Sequence, residues 1–237
     1  MNSERAVEQM LEGWQQSLYK KLDVGGLFTR NKIVHKWKAP WRSLLLREAS
    51  YWRIHDLLSQ SYILHQGKQA LGARILLRSA FETLAVLIYL NQITAAVLDG
   101  SLDFHLFSDK TSTLLLGSRN ADTNIKAINI VTVLEKANKQ YPGLYDLYAD
   151  LSESAHPNYE GMLLGYSTAD RENYVTTFSN KWSDIYGARH ADLMMSCMDL
   201  YNTEYDNIWP ARFENLESWI EAHDAQLEDT KPPAKET

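Results

Sequence analysis

Three ionisable side chains, Arg74, Arg78 and Glu82, recur at every fourth residue in a run that is otherwise almost wholly apolar, Arg74-Ile-Leu-Leu-Arg78-Ser-Ala-Phe-Glu82. Charges on an interior helix are costly unless they are paired or useful. Much further along, Asp150-Leu-Ser152-Glu153-Ser-Ala-His156-Pro-Asn158 sets a histidine at the end of a short helix. A histidine beside an arginine and a carboxylate is the kit for general acid–base chemistry on a phosphodiester.

On a wheel at about 100° per residue, Leu77, Phe81, Leu84 and Ile88 form one apolar stripe with Arg74, Arg78 and Glu82 just beside it. Leu76, Val86 and Leu87 cover much of the opposite face, which predicts a central helix. Arg78 and Glu82 can pair at i, i+4, and such a pair can simply fix helix register. Two arginines and one carboxylate leave a positive surplus that requires another acid or an anionic ligand. On the second helix Leu144, Leu147, Leu151 and Ala155 form the core stripe, while Tyr148, Ser152 and His156 share an adjoining face near Tyr145. Pro157 ends that helix, at a terminus whose dipole favours positive charge. His156 belongs either to this chemistry or to a structural cap bonded to Glu82 or a tyrosine.

The elements that must position these groups follow from periodicity and breakers. Residues 3–22 read as a helix capped by Ser3, with Val7, Met10, Leu11, Trp14 and Leu18 inward. Gly25-Gly26 breaks the chain, and residues 27–42 read as an irregular, basic, aromatic arm. Its tryptophans Trp37 and Trp41 either dock while the lysines face water, or stack on bases. A helix at about 43–66 is expected to turn Leu44, Leu45, Ala49, Trp52, Ile54, Leu58, Tyr62 and Leu64 inward. Further helices are expected at about 68–98, 104–116, 124–140 and 142–156, and residues 157–180 read as a surface excursion. A final helix at about 183–224 carries Pro210, which should kink or interrupt it. The expected fold is an all-α, single-domain, up-and-down helical bundle at 43–224 with a long C-terminal helix. It follows a helix and arm at 1–42 and precedes a tail at 225–237 that reads as disordered.

The 237 residues, 45% of them apolar, are ample for a core. The single cysteine, Cys197, lies in the apolar run Leu193-Met-Met-Ser-Cys197-Met and reads as core; one cysteine precludes an intramolecular disulfide and fits a cytoplasmic location. The N-terminal stretch is charged with no apolar run behind it, and the run Leu84–Leu90 is too short to span a bilayer, so no membrane partner is expected. The formal charge of −6 hides an asymmetry: residues 1–90 carry 13 Lys/Arg against 7 Asp/Glu, and residues 91–237 carry 11 against 23. An acidic whole argues against indiscriminate nucleic-acid binding, while the basic half either presents an anion-binding face or attracts the acidic half. His55 and His65 lack a carboxylate at ligand spacing, and His190 and Asp192 do not share a helix face, so neither metal nor cofactor is expected. Zincin, P-loop and α/β-hydrolase motifs are absent, and Ser61 shows no base partner.

Leu76-Leu77-Arg78-Ser79-Ala80-Phe81-Glu82 followed by Tyr148-Ala-Asp-Leu151-Ser152-Glu-Ser-Ala-His156-Pro-Asn158 resembles a group of uncharacterised bacterial helical proteins. These carry an Arg-Ser-x-x-Glu helix and a Leu-Ser-x-x-x-His helix end. The pattern is also similar to HEPN domains, the four-helix nucleotide-binding modules of toxin–antitoxin and phage-defence systems. The resemblance covers residues 43 to about 222, with specific matches in the two short stretches alone. It implies an antiparallel bundle and a homodimer whose polar sites face each other. Active HEPN proteins are metal-independent endoribonucleases with an arginine shortly before the histidine, whereas residues 149–152 here are Ala, Asp, Leu and Ser. Either Arg78 or Arg74 supplies the phosphate contact from the neighbouring helix, or the site does not cleave RNA.

The expected function is that of a HEPN-like protein of a bacterial antiviral-defence or toxin system, acting on RNA or binding a nucleotide. In the enzymatic form His156 is general base or acid on a ribose 2′-hydroxyl, Glu82 orients it, and Arg78 with Arg74 stabilises charge on the phosphate. Tyr148, Ser152 and Asn158 hold substrate groups, and a 2′,3′-cyclic phosphate forms without metal. The alternatives are a non-catalytic interaction module clamped by Arg78, Glu82 and His156, and a nucleotide or small-anion sensor. Expected partners are a second copy, RNA or a nucleotide, and a protein from the same operon.

Overall fold

Few glycines and prolines and a persistent helical spacing of apolar residues produce an all-α helical bundle. The computed structural model describes residues 3–120 and 122–233. Its helices are α1 (Ser3–Ser17), α2 (Val24–Arg30), α3 (Lys32–His35), α4 (Lys38–Gln66), α5 (Ala70–Leu98), α6 (Phe104–Leu116), α7 (Ile130–Gln140), α8 (Leu144–Ala155), α9 (Trp182–Asn202) and α10 (Trp209–Asp229). Two π-helical segments, π1 (Tyr159–Leu164) and π2 (Thr203–Ile208), and an antiparallel hairpin of β1 (Ser167–Asp170) and β2 (Val175–Phe178) complete it.

Two compact units share the chain. One comprises Met1–Leu18, Tyr51–Ala85 and Leu134–Leu200; the other comprises Tyr19–Ser50, Val86–Val133 and Tyr201–Thr237. The boundaries at 50/51 and 85/86 fall inside α4 and α5.

Helix α5 is the central one that its composition predicts. Leu77, Phe81, Leu84 and Ile88 are fully buried, and Leu87 and Leu90 on other faces are buried as well. Ala70–Leu98 is also the one helix among the described residues long and apolar enough to cross a membrane by composition, and two thirds of its apolar window is buried within the protein. The expectation that no apolar segment is long enough therefore understates it. On α4 the inward face differs from the expected one. Ala49 and Trp52 are exposed, while Leu46, Ile54 and Leu58 are buried together with Ser43, Ser50 and Ser61. Serines tolerate burial here because their hydroxyls bond local or facing carbonyls: Ser43 to Ala39, Ser50 to Arg47 and Ser61 to Ala73.

The segment read as an irregular arm is helical. Gly25 and Gly26 lie inside α2, whose first turn Asp23 caps by accepting from the Gly26 N–H. Trp37 is buried and donates its Nε1–H to Asp224 at 3.0 Å, and Lys36 lies 2.8 Å from both Asp224 and Glu228. Arg30 and His35 reach Glu217. The tryptophan docks and its neighbouring cation faces the acids of α10. These contacts and the burial of Leu227 carry α10 on to Asp229, past the expected end at 224; residues 234–237 of the expected tail lie outside the described residues.

Three further boundaries move. Helix α7 begins at Ile130 and not at 124, because Ser118 bridges Lys126 and Asn129 caps the helix through the Val131 N–H. Pro210 interrupts the C-terminal helical run as expected. It has no N–H and its ring crowds the preceding turn, and the residues before it, Thr203–Ile208, widen into π2. The excursion after His156 is ordered as π1 and the hairpin. Gly161 is essential to π1: a Cβ there would sit 2.1 Å from the His156 carbonyl oxygen. Gly161→Ala is expected to cost about 1–3 kcal/mol, as overpacking does, read as a fall in the urea midpoint at unchanged slope.

Candidate functional site

The polar residues of α5 meet those of α8 in antiparallel register. Arg74 is only 2% exposed. Its Nε donates to Ser154 Oγ at 2.7 Å, and its Nη2 donates to the Asp150 carbonyl and carboxylate, both at 3.0 Å. The guanidinium carbon lies 4.0 Å from the centre of the Tyr186 ring of α9, and Glu160 approaches Nη2 at 4.0 Å. Ser154 in turn donates to Glu160 at 3.0 Å. Tyr186 also bonds Glu160, and burial first and that acid second push its phenol up to about 12. One guanidinium is thus enclosed by two carboxylates, a hydroxyl, a carbonyl and an aromatic face.

One turn along α5, Arg78 donates to Ser152 Oγ at 2.8 Å and to Tyr148 Oη at 2.6 Å, and lies 3.2 Å from Glu82. The Tyr148 hydroxyl donates to Glu82 at 3.2 Å, closing a three-membered ring of contacts. The Arg78 and Glu82 side chains are 24% and 20% exposed, so this ring sits at the rim and the Arg74 network inside. The acids that the arginine surplus demanded are Asp150 and Glu160, and no external anion is needed to balance it.

The other expected site residues stand apart. His156 follows α8 as its C-cap and is exposed, and among the described residues its imidazole makes no hydrogen bond or ion pair. Glu82 therefore does not orient it, and the clamp is Arg–Glu–Tyr where Arg–Glu–His was expected. The physical reason is reach: Tyr148 lies two turns nearer the Glu82 end of the antiparallel pair than His156 does. Asn158 caps π1, accepting from the Gly161 N–H and donating to Glu153.

Sequence reasoning missed a neighbouring buried pair. Ser61 and His190 are both buried, with Ser61 Oγ 2.9 Å from His190 Nε2, so Ser61 does have a histidine partner. Ser61 donates its single proton to the Ala73 carbonyl at 2.8 Å, which makes Nε2–H of His190 the donor and leaves buried Nδ1 without a partner. Burial, then His65 and then Arg74, push the His190 imidazole down to about 3. A weakly basic, neutral histidine whose Nε2 donates to the serine, while the serine's own proton goes elsewhere, is no nucleophile-activating base near neutrality. No sequence signal links positions 61, 74 and 190, which come from three helices. Cys197 is fully buried, as its apolar run predicts, and burial pushes its thiol well up. Among the described residues no three His, Cys, Asp or Glu side chains gather as a metal site needs.

Fold and site together define an all-helical bundle protein with an arginine-centred polar network locking one central helix to its neighbours. Comparison with protein-family models, with curated proteins and with solved structures returns no match.

Proposed function

We propose that this chain is a non-catalytic helical interaction module of the HEPN-like kind, acting in a bacterial defence or toxin system. The observation that carries the reading is how its cations are used. Arg74 is enclosed, and Arg78 is bonded to Ser152, Tyr148 and Glu82, while His156 lies outside that ring. Phosphodiester cleavage requires free donors aimed at the developing phosphate charge. Here those donors hold helices together.

One observation favours a second reading, a metal-independent endoribonuclease. His156 is solvent-exposed and one helical turn beyond Ser152, which touches Arg78. The two readings separate in one assay. Purified protein incubated with mixed single-stranded RNA, without divalent metal, is expected to yield no 2′,3′-cyclic phosphate ends above a His156→Ala control, and both proteins are expected to melt within a degree or two of each other. Cyclic phosphate ends that vanish with His156→Ala would overturn the interaction reading. For the sensor alternative, a thermal shift of several degrees with ATP, GTP or inorganic phosphate would do the same.

A further inference from the structure

The excursion from π1 to α9 exposes more apolar surface than a self-contained element should. Tyr159, Tyr174 and Phe178 are 68%, 94% and 78% exposed, and Met162, Leu163 and Val175 are exposed too. The three aromatics alone leave on the order of 500 Å² uncovered. Tyr174, Val175 and Phe178 of the hairpin contribute roughly 450 Å² of apolar surface, the low end of what one partner gives to a specific interface.

The hairpin has a second anomaly. Asp170 sets its turn by accepting from the Glu172 and Asn173 N–H groups, and Tyr174 closes it at φ 55°, a left-handed conformation. Glycine or asparagine is the usual residue there, and an L side chain is strained. Tyr174 is almost fully exposed, so burial among the described residues does little to offset that strain. A two-stranded sheet with every β2 residue exposed is also marginal in water by itself.

The free edge of β2 suits a copy of itself. Ser179 N–H donates to the Tyr166 carbonyl, and the register pairs Thr177 with Thr168 and Thr176 with Ala169. Alternation then points the backbone N–H and C=O of Thr176 and Phe178 outward. Pairing that edge with its own counterpart sets each Thr176 opposite a Phe178 and Thr177 opposite Thr177. No charge lies on Val175–Phe178, so nothing repels across the axis. Residues 159–181 carry three acids against two bases, which gives an RNA or an anionic bilayer no positive surface to hold.

We propose that a second copy of this chain docks on the β1–β2 hairpin, joining β2 to β2 across a two-fold axis and covering Tyr174 and Phe178. The union closes the β2 edge of both copies at once, as an isologous contact does. This inference rests on the interaction-module reading and deepens it. The test is sedimentation velocity on the full chain with two variants. The wild type is expected to be a dimer at micromolar concentration. Tyr174→Gly removes two anchors per dimer and is expected to raise the dissociation constant about 100-fold or more. Because the strain goes with it, Tyr174→Gly should melt no lower than wild type under conditions where both are monomeric. Thr176→Pro deletes an outward N–H without touching the β1 ladder, and is expected to yield a monomer with unchanged helicity. A wild type still monomeric at about 100 μM, weaker than an interface of this size should be, would overturn the proposal. So would a dimer indifferent to both substitutions, or co-sedimentation with phosphatidylcholine–phosphatidylglycerol vesicles that Tyr174→Gly abolishes. RNA cleavage dependent on His156 would instead remove the module reading, whatever the association state.

Discussion

Arg74→Ala is expected to lower the unfolding free energy by about 3–5 kcal/mol, the range seen when one partner of a buried ion pair is removed. Arg78→Ala is expected to cost about 1–2 kcal/mol, as for a partly solvated pair. The ordering follows from burial. Truncating Arg74 leaves the Glu160 charge, at 19% exposure, with hydroxyl partners alone, opens a space against Tyr186 and leaves Ser154 with one partner fewer. Asp150, at 56% exposure, is re-solvated and contributes little to the loss. Truncating Arg78 leaves Tyr148 still bonded to Glu82, and Glu82 is within reach of water. Urea unfolding of the two variants and of the wild type checks the ordering. Arg74→Met, which keeps the stem but loses the donors, should fall between wild type and Arg74→Ala. Equal losses at 74 and 78 would mean that the inner network is no stronger than the rim.

The second large effect is a pH dependence owed to His190. Its folded pKa, about 3, lies below the ordinary value of 6.5, so the unfolded chain binds the extra proton throughout the interval between them. Stability is therefore at its full value above about pH 6.5 and falls as pH drops towards 3, by about 1.4 kcal/mol for each pH unit. Between pH 7 and pH 4 the group should remove about 3 kcal/mol. Other groups titrate in the same window, so the measurement is a difference. His190→Gln keeps a donor for Ser61 and cannot titrate. The gap between wild type and variant in urea unfolding should widen in the variant's favour as the solution is acidified. A constant gap from pH 7 to pH 4 would mean that His190 takes up its proton without opening the fold. The cause is local: Nε2–H is committed to Ser61, the Nδ1 site has no acceptor, and His65 and Arg74 flank the ring.

The all-helical class, α5 as the central helix and the α6 boundaries were legible because each rests on local rules. Apolar spacing at 3.6 residues and the cap at Asp103 act within a few residues of themselves. The same holds for the interruption at Pro210. Errors collected where a distant partner decided. One error was local all the same: Gly25 and Gly26 read as a break although Asp23, three residues before Gly26, caps them into α2. Trp52 read as inward, yet the buried face of α4 runs through Ser43, Leu46, Ser50, Ile54, Leu58 and Ser61.

The sequence by itself established that α5 carries a charged ladder and that two arginines against one carboxylate demand either further acid or an anionic ligand. Those are statements about one helix face and its charge count, and neither needs a third dimension. Only the tertiary structure decided which acids answer: Asp150 from α8 and Glu160 from π1, with Tyr186 beneath them. It also took His156 out of the cluster and put Tyr148 in its place, because in an antiparallel pair the residue that meets Glu82 is fixed by how far one helix slides along the other. That offset is set by packing summed over whole faces, and no short stretch of chain encodes it.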